Sequence, residues 1–168
     1  SLFSASIGAQ DVFFATRNYT AIDGLPQSQV QTIIEDKSGY LWIGTAGGGL
    51  ARFDGREFKV YSTLDGLLSN EVNGLQFDTR DNLWILHPMG VTRFDGLHFV
   101  KFPLPAARLR DVQLKRIVQL RDTVFISTNF GLTGKIHNDS LKFQENSIAN
   151  NKELFHTHLA PTGEICQY

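Results

Sequence analysis

The chain repeats itself at a fixed spacing. Residues 24–61 read GLPQSQVQTIIEDKSGYLWIGTAGGGLARFDGREFKVY, and residues 66–102 read GLLSNEVNGLQFDTRDNLWILHPMGVTRFDGLHFVKF. Gly24 returns as Gly66, Val30 as Val72 and Trp42 as Trp84, each 42 positions on. The second copy is one residue shorter in its glycine loop, so Phe53 returns as Phe94 and Tyr61 as Phe102, 41 on. A period in this range marks a repeat architecture, in which each unit buries its core only by stacking on its neighbours.

A third copy, LKRIVQLRDTVFISTNFGLTGKIHNDSLKF at residues 114–143, keeps the apolar skeleton, with Phe125 where Trp84 stood and Gly131 where Gly90 stood. Its Arg-Phe-Asp-Gly signature, intact at Arg52-Phe53-Asp54-Gly55 and Arg93-Phe94-Asp95-Gly96, has decayed to KIHND. A fourth copy opens at ELFHTHLAPTGEICQY, with Ile165-Cys166 at the Leu-Trp position. The head fits too, because YTAIDG at 19–24 parallels YSTLDG at 61–66. The expected organisation is therefore a tail at 1–10, a closing strand at 11–23, units at 24–65, 66–107 and 108–148, and the start of another at 149–168.

Each unit reads as four short strands. In the first these are residues 30–35, 40–44, 50–53 and 58–61, with turns at 36–39 and at Asp54-Gly55. An Asp-Gly pair between strand-like runs is a strong hairpin signal because the turn needs positive φ. β-branched and aromatic residues fill the strands, and no window shows an amphipathic helix longer than a turn or two. Four antiparallel strands in this span, with Trp and Gly at fixed offsets, predict an all-β fold of β-propeller blades, a partial ring of about three and a half. A β-sandwich does not predict self-similarity at this period. Trp42, Trp84 and Phe125 share one mid-strand position between apolar neighbours. They are read as packing between blades rather than as sugar-stacking platforms.

Hydrophobic residues make up 42% and charged residues 20%, with 15 Gly and 13 Phe, which excludes disorder. A net charge of −1 gives no electrostatic footprint for nucleic acid. Arg108, Arg110, Lys115, Arg116 and Arg121 are interrupted by Asp111 and Asp122, and read as a solvated loop and strand edge. The single cysteine, Cys166, rules out an internal disulfide. SLFSASIGAQ at the start is similar to the tail of a secretory signal peptide, without a basic n-region or a full h-region.

The pattern V-x-x-I-x-x-D-x-x-G-x-L-W-I-G-T-x-x-G-G-L-x-R-[FY]-D is satisfied by Val30, Ile33, Asp36, Gly39, residues 41–45, 48–50 and 52–54. The second copy departs from it at Leu86-His87-Pro88. This pattern resembles the two-component regulator propeller repeat, strongly over residues 11 to 143 and weakly beyond. The resemblance implies the periplasmic sensor region of an inner-membrane receptor of the Bacteroidetes type. There, propellers and a Tyr-rich β-sandwich precede one membrane span and a histidine kinase or other output module. A closed seven-bladed ring takes about 290 residues at this period, against 168 here, so the chain reads as an N-terminal fragment whose partners include the remaining blades of its parent.

Chemical motifs resolve into structural ones. The glycines at 44–49 lack the Lys-Ser/Thr and the helix of a phosphate loop, and Gly131-Leu132-Thr133-Gly134-Lys135 fails the same test. His156 and His158 have no third metal ligand nearby, and Asp78-Thr79-Arg80-Asp81-Asn82 is turn chemistry. No Ser, His and Asp form a nucleophile elbow. No catalytic residue, metal or cofactor is expected. Function on a propeller sits on loops at one mouth. The loops joining units, with the loops between second and third strands, carry Gln27, Ser28, Gln29, Ser69, Asn70, His87, Arg108 and Asn129. Gln27, Ser28, Asn70, His87 and Asn129 are the ligand-site candidates, suited to an oligosaccharide or another hydroxyl-rich external ligand. The opposite end carries short Asp/Gly turns and is expected to contribute little. The leading expectation is a ligand-sensing receptor fragment that is not itself an enzyme. The alternative is a protein-interaction or dimerisation scaffold with no small-molecule site.

Overall fold

A computed structural model describes residues 17–105, 112–120, 123–129, 132–137 and 140–145. Twelve strands fall into three four-stranded antiparallel sheets, each in simple sequence order. Blade 1 holds β1 (Val30–Glu35), β2 (Leu41–Thr45), β3 (Leu50–Phe53) and β4 (Phe58–Tyr61). Blade 2 holds β5 (Gly74–Phe77), β6 (Leu83–His87), β7 (Gly90–Phe94) and β8 (Phe99–Pro103). Blade 3 holds β9 (Leu114–Leu120), β10 (Thr123–Thr128), β11 (Leu132–His137) and β12 (Ser140–Glu145). The first strands of adjacent blades, β1 with β5 and β5 with β9, approach one another as the inner strands of a propeller do. Among the described residues the three blades form part of a ring and do not close it. Strand boundaries match the sequence reading to about one residue. The expected start of a fourth blade at 149–168 and the tail at 1–10 lie outside the described residues. So does most of the expected closing strand, whose described part, residues 17–20, is irregular and runs into a 3-10 turn at Ala21–Asp23.

Aspartate builds the turns. At the β1–β2 turn Asp36 Oδ1 accepts from the Ser38 and Tyr40 amides at 2.8 and 3.1 Å, and Oδ2 accepts from the Trp42 indole at 2.8 Å. Blade 2 repeats this at Asp78, which accepts from Arg80 N, Asn82 N and Trp84 Nε1 at 2.8, 2.9 and 2.9 Å. The motif spacing therefore carries one carboxylate from turn to indole. Asp54 and Asp95 act alike at the β3–β4 and β7–β8 turns, each accepting two backbone amides beyond Gly55 and Gly96. Gly49 and Gly90 have φ of 91° and 149°, and a Cβ at either would meet the carbonyl oxygen of Tyr61 or Phe102 at 2.3 or 2.4 Å.

The core sits between blades. Trp42 stacks on Tyr61 (5.9 Å, 15°) and meets Phe94 of blade 2, packing with Leu67, Val72, Leu83 and Ile85. Trp84 takes the same place against Leu114, Ile117, Val124 and Ile126 of blade 3. Tyr19 repeats Tyr61: it sets its edge on Phe53 and Phe58, as Tyr61 contacts Phe94 and Phe99. The head of the chain thus does the packing work of a preceding blade's last residues. The remainder of that face is open, with Ile33 59% exposed where its counterpart Leu75 packs against the Trp42 cluster.

Phe125 is equivalent to the tryptophans in register, since Phe125 pairs with Lys135 as Trp84 pairs with Arg93 and Trp42 with Arg52. It was expected to be mostly buried, and it is half-buried. The residues after β12 that would follow blade 3 lie outside those described. Trp84 is 2% exposed, so Trp84→Ala should cost about 3–5 kcal/mol, the range for large aromatic deletions in cores. Denaturant titration checks this, and a loss below roughly 1 kcal/mol would place the indole outside the core.

Candidate functional site

At the mouth, the loops are laced together by backbone. Val72 N donates to Thr45 O at 2.9 Å, Gly49 N to Asn70 O at 2.8 Å and Ala46 N to Gln29 O at 3.0 Å. Asn70 Oδ1 accepts from Thr63 N at 2.8 Å, and Asn129 Oδ1 accepts from Gln113 N at 2.8 Å. Both asparagines therefore brace loops. Ser28 is exposed and Gln27 half-buried. Gln27 Oε1 is buried without a hydrogen-bond donor, beside Gly47, where an added Cβ would stand 3.4 Å away.

His87 was expected in a loop at this mouth. It is instead the last residue of β6 and is 1% exposed. Nδ1 lies 2.8 Å from Glu71 O and Nε2 3.0 Å from Thr92 Oγ1. A carbonyl only accepts, so Nδ1 carries the proton, and the Thr92 hydroxyl donates to Nε2 while accepting from Leu68 N at 3.2 Å. Burial, opposed in part by the Glu71 carbonyl, pushes the imidazole pKa down from 6.5 to about 4. The five candidates thus divide: Ser28 is exposed, Gln27 is half-buried with its Oε1 enclosed, and Asn70, Asn129 and His87 hold the mouth together.

The Asp/Gly-turn end, expected to contribute little, holds a cleft of about 450 Å³ between blades 1 and 2. Its walls include Glu35, Tyr40, Arg52 and Phe77, and Lys37 and Asp81 stand at its rim, bonded across the blades at 2.9 Å. The Arg52 guanidinium lies 4.6 Å above the Tyr40 ring and 5.8 Å from that of Trp42. It has no hydrogen-bond or ion-pair partner among the described residues. Asp78, desolvated by its surroundings, is nonetheless held below the usual carboxylate pKa by hydrogen bonds from Asn82 and Trp84. The available signal was the register of the repeat, which sets Arg52 opposite Trp42 on a shared sheet face.

Residues 24–47 match the family model described as two component regulator propeller. The match falls on the loop into β1, on β1 and on β2 of blade 1. Over 61 residues, 36% of the chain, the sequence is 48% identical to a histidine kinase from Formosa agariphila, of which the match spans 4%. The fold is similar to the extracellular domain of a putative hybrid two component system from B. thetaiotaomicron, with a TM-score of 0.70 at 17% identity. That comparison covers 93% of this chain and 21% of the other. The corresponding domain of a second such system gives 0.67 at 19% identity, covering 90% of this chain and 22% of that one. A streptogramin B lyase gives 0.62 at 14% identity, covering 86% and 55%. At these identities the solved structures establish the propeller fold. The chain spans about a fifth of the two receptor domains. Among the described residues no helix is long and apolar enough to cross a membrane.

Thr45 and Thr128 occupy the His87 position in the other blades, so His87→Thr is the informative change at the mouth. A folded pKa near 4 against 6.5 means that the unfolded chain takes up the proton first as pH falls. Stability should be complete above pH 6.5 and fall towards pH 4, with a slope approaching about 1.4 kcal/mol per pH unit. In His87→Thr that slope should vanish from denaturant midpoints measured between pH 7 and 4.

Proposed function

We propose that the chain is part of an extracytoplasmic sensor propeller whose mouth receives a hydroxyl-rich external ligand, such as a glycan fragment. A signalling module elsewhere in the parent protein reads its occupancy, and this part is not catalytic. The observation that carries the reading is Gln27 Oε1, a buried acceptor without a donor. An unsatisfied buried amide oxygen costs about 1–3 kcal/mol, and the half-buried side chain removes that cost by turning out to meet a ligand hydroxyl. The exposed Ser28 hydroxyl beside it both donates and accepts. Asn70, Asn129 and His87 contribute by fixing the loops on which those two stand. The family match and the fold shared with extracellular receptor domains support a sensor role over an enzymatic one.

A second reading, a protein-interaction or dimerisation scaffold, is favoured by one observation. Ile22 and Leu64 are 98% and 96% exposed at the same repeat position on the mouth side. Identical turns hold them out: Asp23 Oδ2 accepts from Thr20 N, and Asp65 Oδ2 from Ser62 N, both at 2.8 Å. The two readings separate cleanly in the full-length receptor. Gln27→Ala should weaken the response to an inducing glycan about tenfold and should not lower the thermal midpoint, since it removes the unsatisfied oxygen. Normal signalling by Gln27→Ala, with loss of self-association in an Ile22→Ser, Leu64→Ser double variant by sedimentation velocity, would instead establish the scaffold.

A further inference from the structure

The cleft at the turn end is independent of the mouth and has its own chemistry. Arg52 presents a planar guanidinium whose donors are unused among the described residues. The Tyr40 ring beneath it, 4.6 Å away, holds the fork flat and shields one face from water. Blade 2 shows that this stack is not a requirement of the fold. Its counterpart of Tyr40 is Asn82, whose amide donates to Asp78 at 2.8 Å and offers no ring to Arg93. Blade 1, which supplies Arg52 to the cleft, thus carries an aromatic where blade 2 carries a turn-bracing asparagine.

The other charges narrow the ligand. Asp36 and Asp78 are committed to indole and backbone amides, and Lys37 is paired with Asp81. Glu35 is exposed and has no hydrogen-bond or ion-pair partner among the described residues. One free guanidinium and one free carboxylate beside the Tyr40 and Phe77 rings suit a molecule with one acidic group, several hydroxyls and a flat apolar face. The surplus of acidic side chains disfavours a polyanion such as an oligophosphate. We propose that the cleft between blades 1 and 2 binds a hydroxylated monocarboxylate of the hexuronic acid class. Its carboxylate takes the bidentate fork of Arg52, its hydroxyls donate to Glu35, and its ring lies against the aromatic wall.

Glucuronate is the probe, with glucose as the uncharged control, titrated into the chain by calorimetry alongside a thermal melt of each variant. Glucuronate should bind at least tenfold more tightly than glucose. Arg52→Met should lose about tenfold or more in glucuronate affinity, the scale of one bidentate charge-assisted contact. Tyr40→Asn installs the residue blade 2 carries and so keeps the turn; it should fold with a near-native midpoint and also lose affinity. Gln27→Ala should bind glucuronate normally, which separates this site from the mouth. No binding of glucuronate, equal binding of glucose, or unchanged affinity in Tyr40→Asn would each overturn the proposal. Tyr40→Asn keeps the test decisive even if Arg52→Met fails to fold.

Discussion

The hydrogen bond from the tryptophan indole to the turn aspartate is the contact on which the rest of the fold depends. Trp42 and Trp84 are each nearly buried between two blades, where an unpaired indole N–H would carry a desolvation cost. Asp36 and Asp78 remove that cost at 2.8 and 2.9 Å and, in the same step, close the first hairpin of each blade. One carboxylate therefore ties local turn geometry to the orientation of the ring that the next blade packs upon. A blade has little core of its own, so local order and inter-blade packing stand or fall together.

Departures from the repeat come in pairs, which is what close packing demands. In blade 1, Thr32 lies opposite Gly44, and a Cβ on that glycine would come within 2.6 Å of Val72 and of Thr32 itself. Blade 2 reverses the sizes, with Gly74 opposite Leu86 at the matching rung. The next rung behaves alike. Thr45 donates to Gly49 O in blade 1, whereas His87 in its place needs the hydroxyl of Thr92, and blade 1 has Ala51 at the Thr92 position. A bulky imidazole thus enters the core only with its partner, and it stays neutral because burial disfavours its charge. Among the described residues the one non-glycine positive φ, 63° at Asp81, stands where blade 1 has Gly39, and that carboxylate reaches Lys37 of blade 1.

The fold was legible because its determinants are periodic. Spacing alone located β1, β3 and β4 and the equivalence of Trp42, Trp84 and Phe125, since each depends on residues near in sequence. The candidate site was legible only in outline. Membership of the mouth follows from strand count, and Gln27 and Ser28 lie on the loop that leads into β1. Whether a polar side chain faces outward depends on packing and hydrogen-bond partners that the repeat spacing does not encode. His87 illustrates the failure: its acceptor and donor come from Glu71 and Thr92, and β6 runs on to include it, so the loop begins one residue later than the motif suggests. The cleft was missed for the same reason, being a space between two units rather than a feature of either.

The two ends of the blades are built on different principles, and this bears on where a ligand can act. At the mouth, the loop after β2 and the segment before β5 exchange two backbone hydrogen bonds between blades 1 and 2, so a ligand there touches groups that already couple one blade to the next. At the turn end each blade satisfies its own backbone through aspartate, and bonds drawn across that end include the exposed Lys37–Asp81 pair between blades 1 and 2 and the Thr79 amide donating to Gln119 Oε1 at 2.7 Å between blades 2 and 3. An exposed ion pair contributes about 0–1 kcal/mol and is screened by salt. Between blades 1 and 2 the polar link at the turn end is thus weaker than the backbone bonds at the mouth.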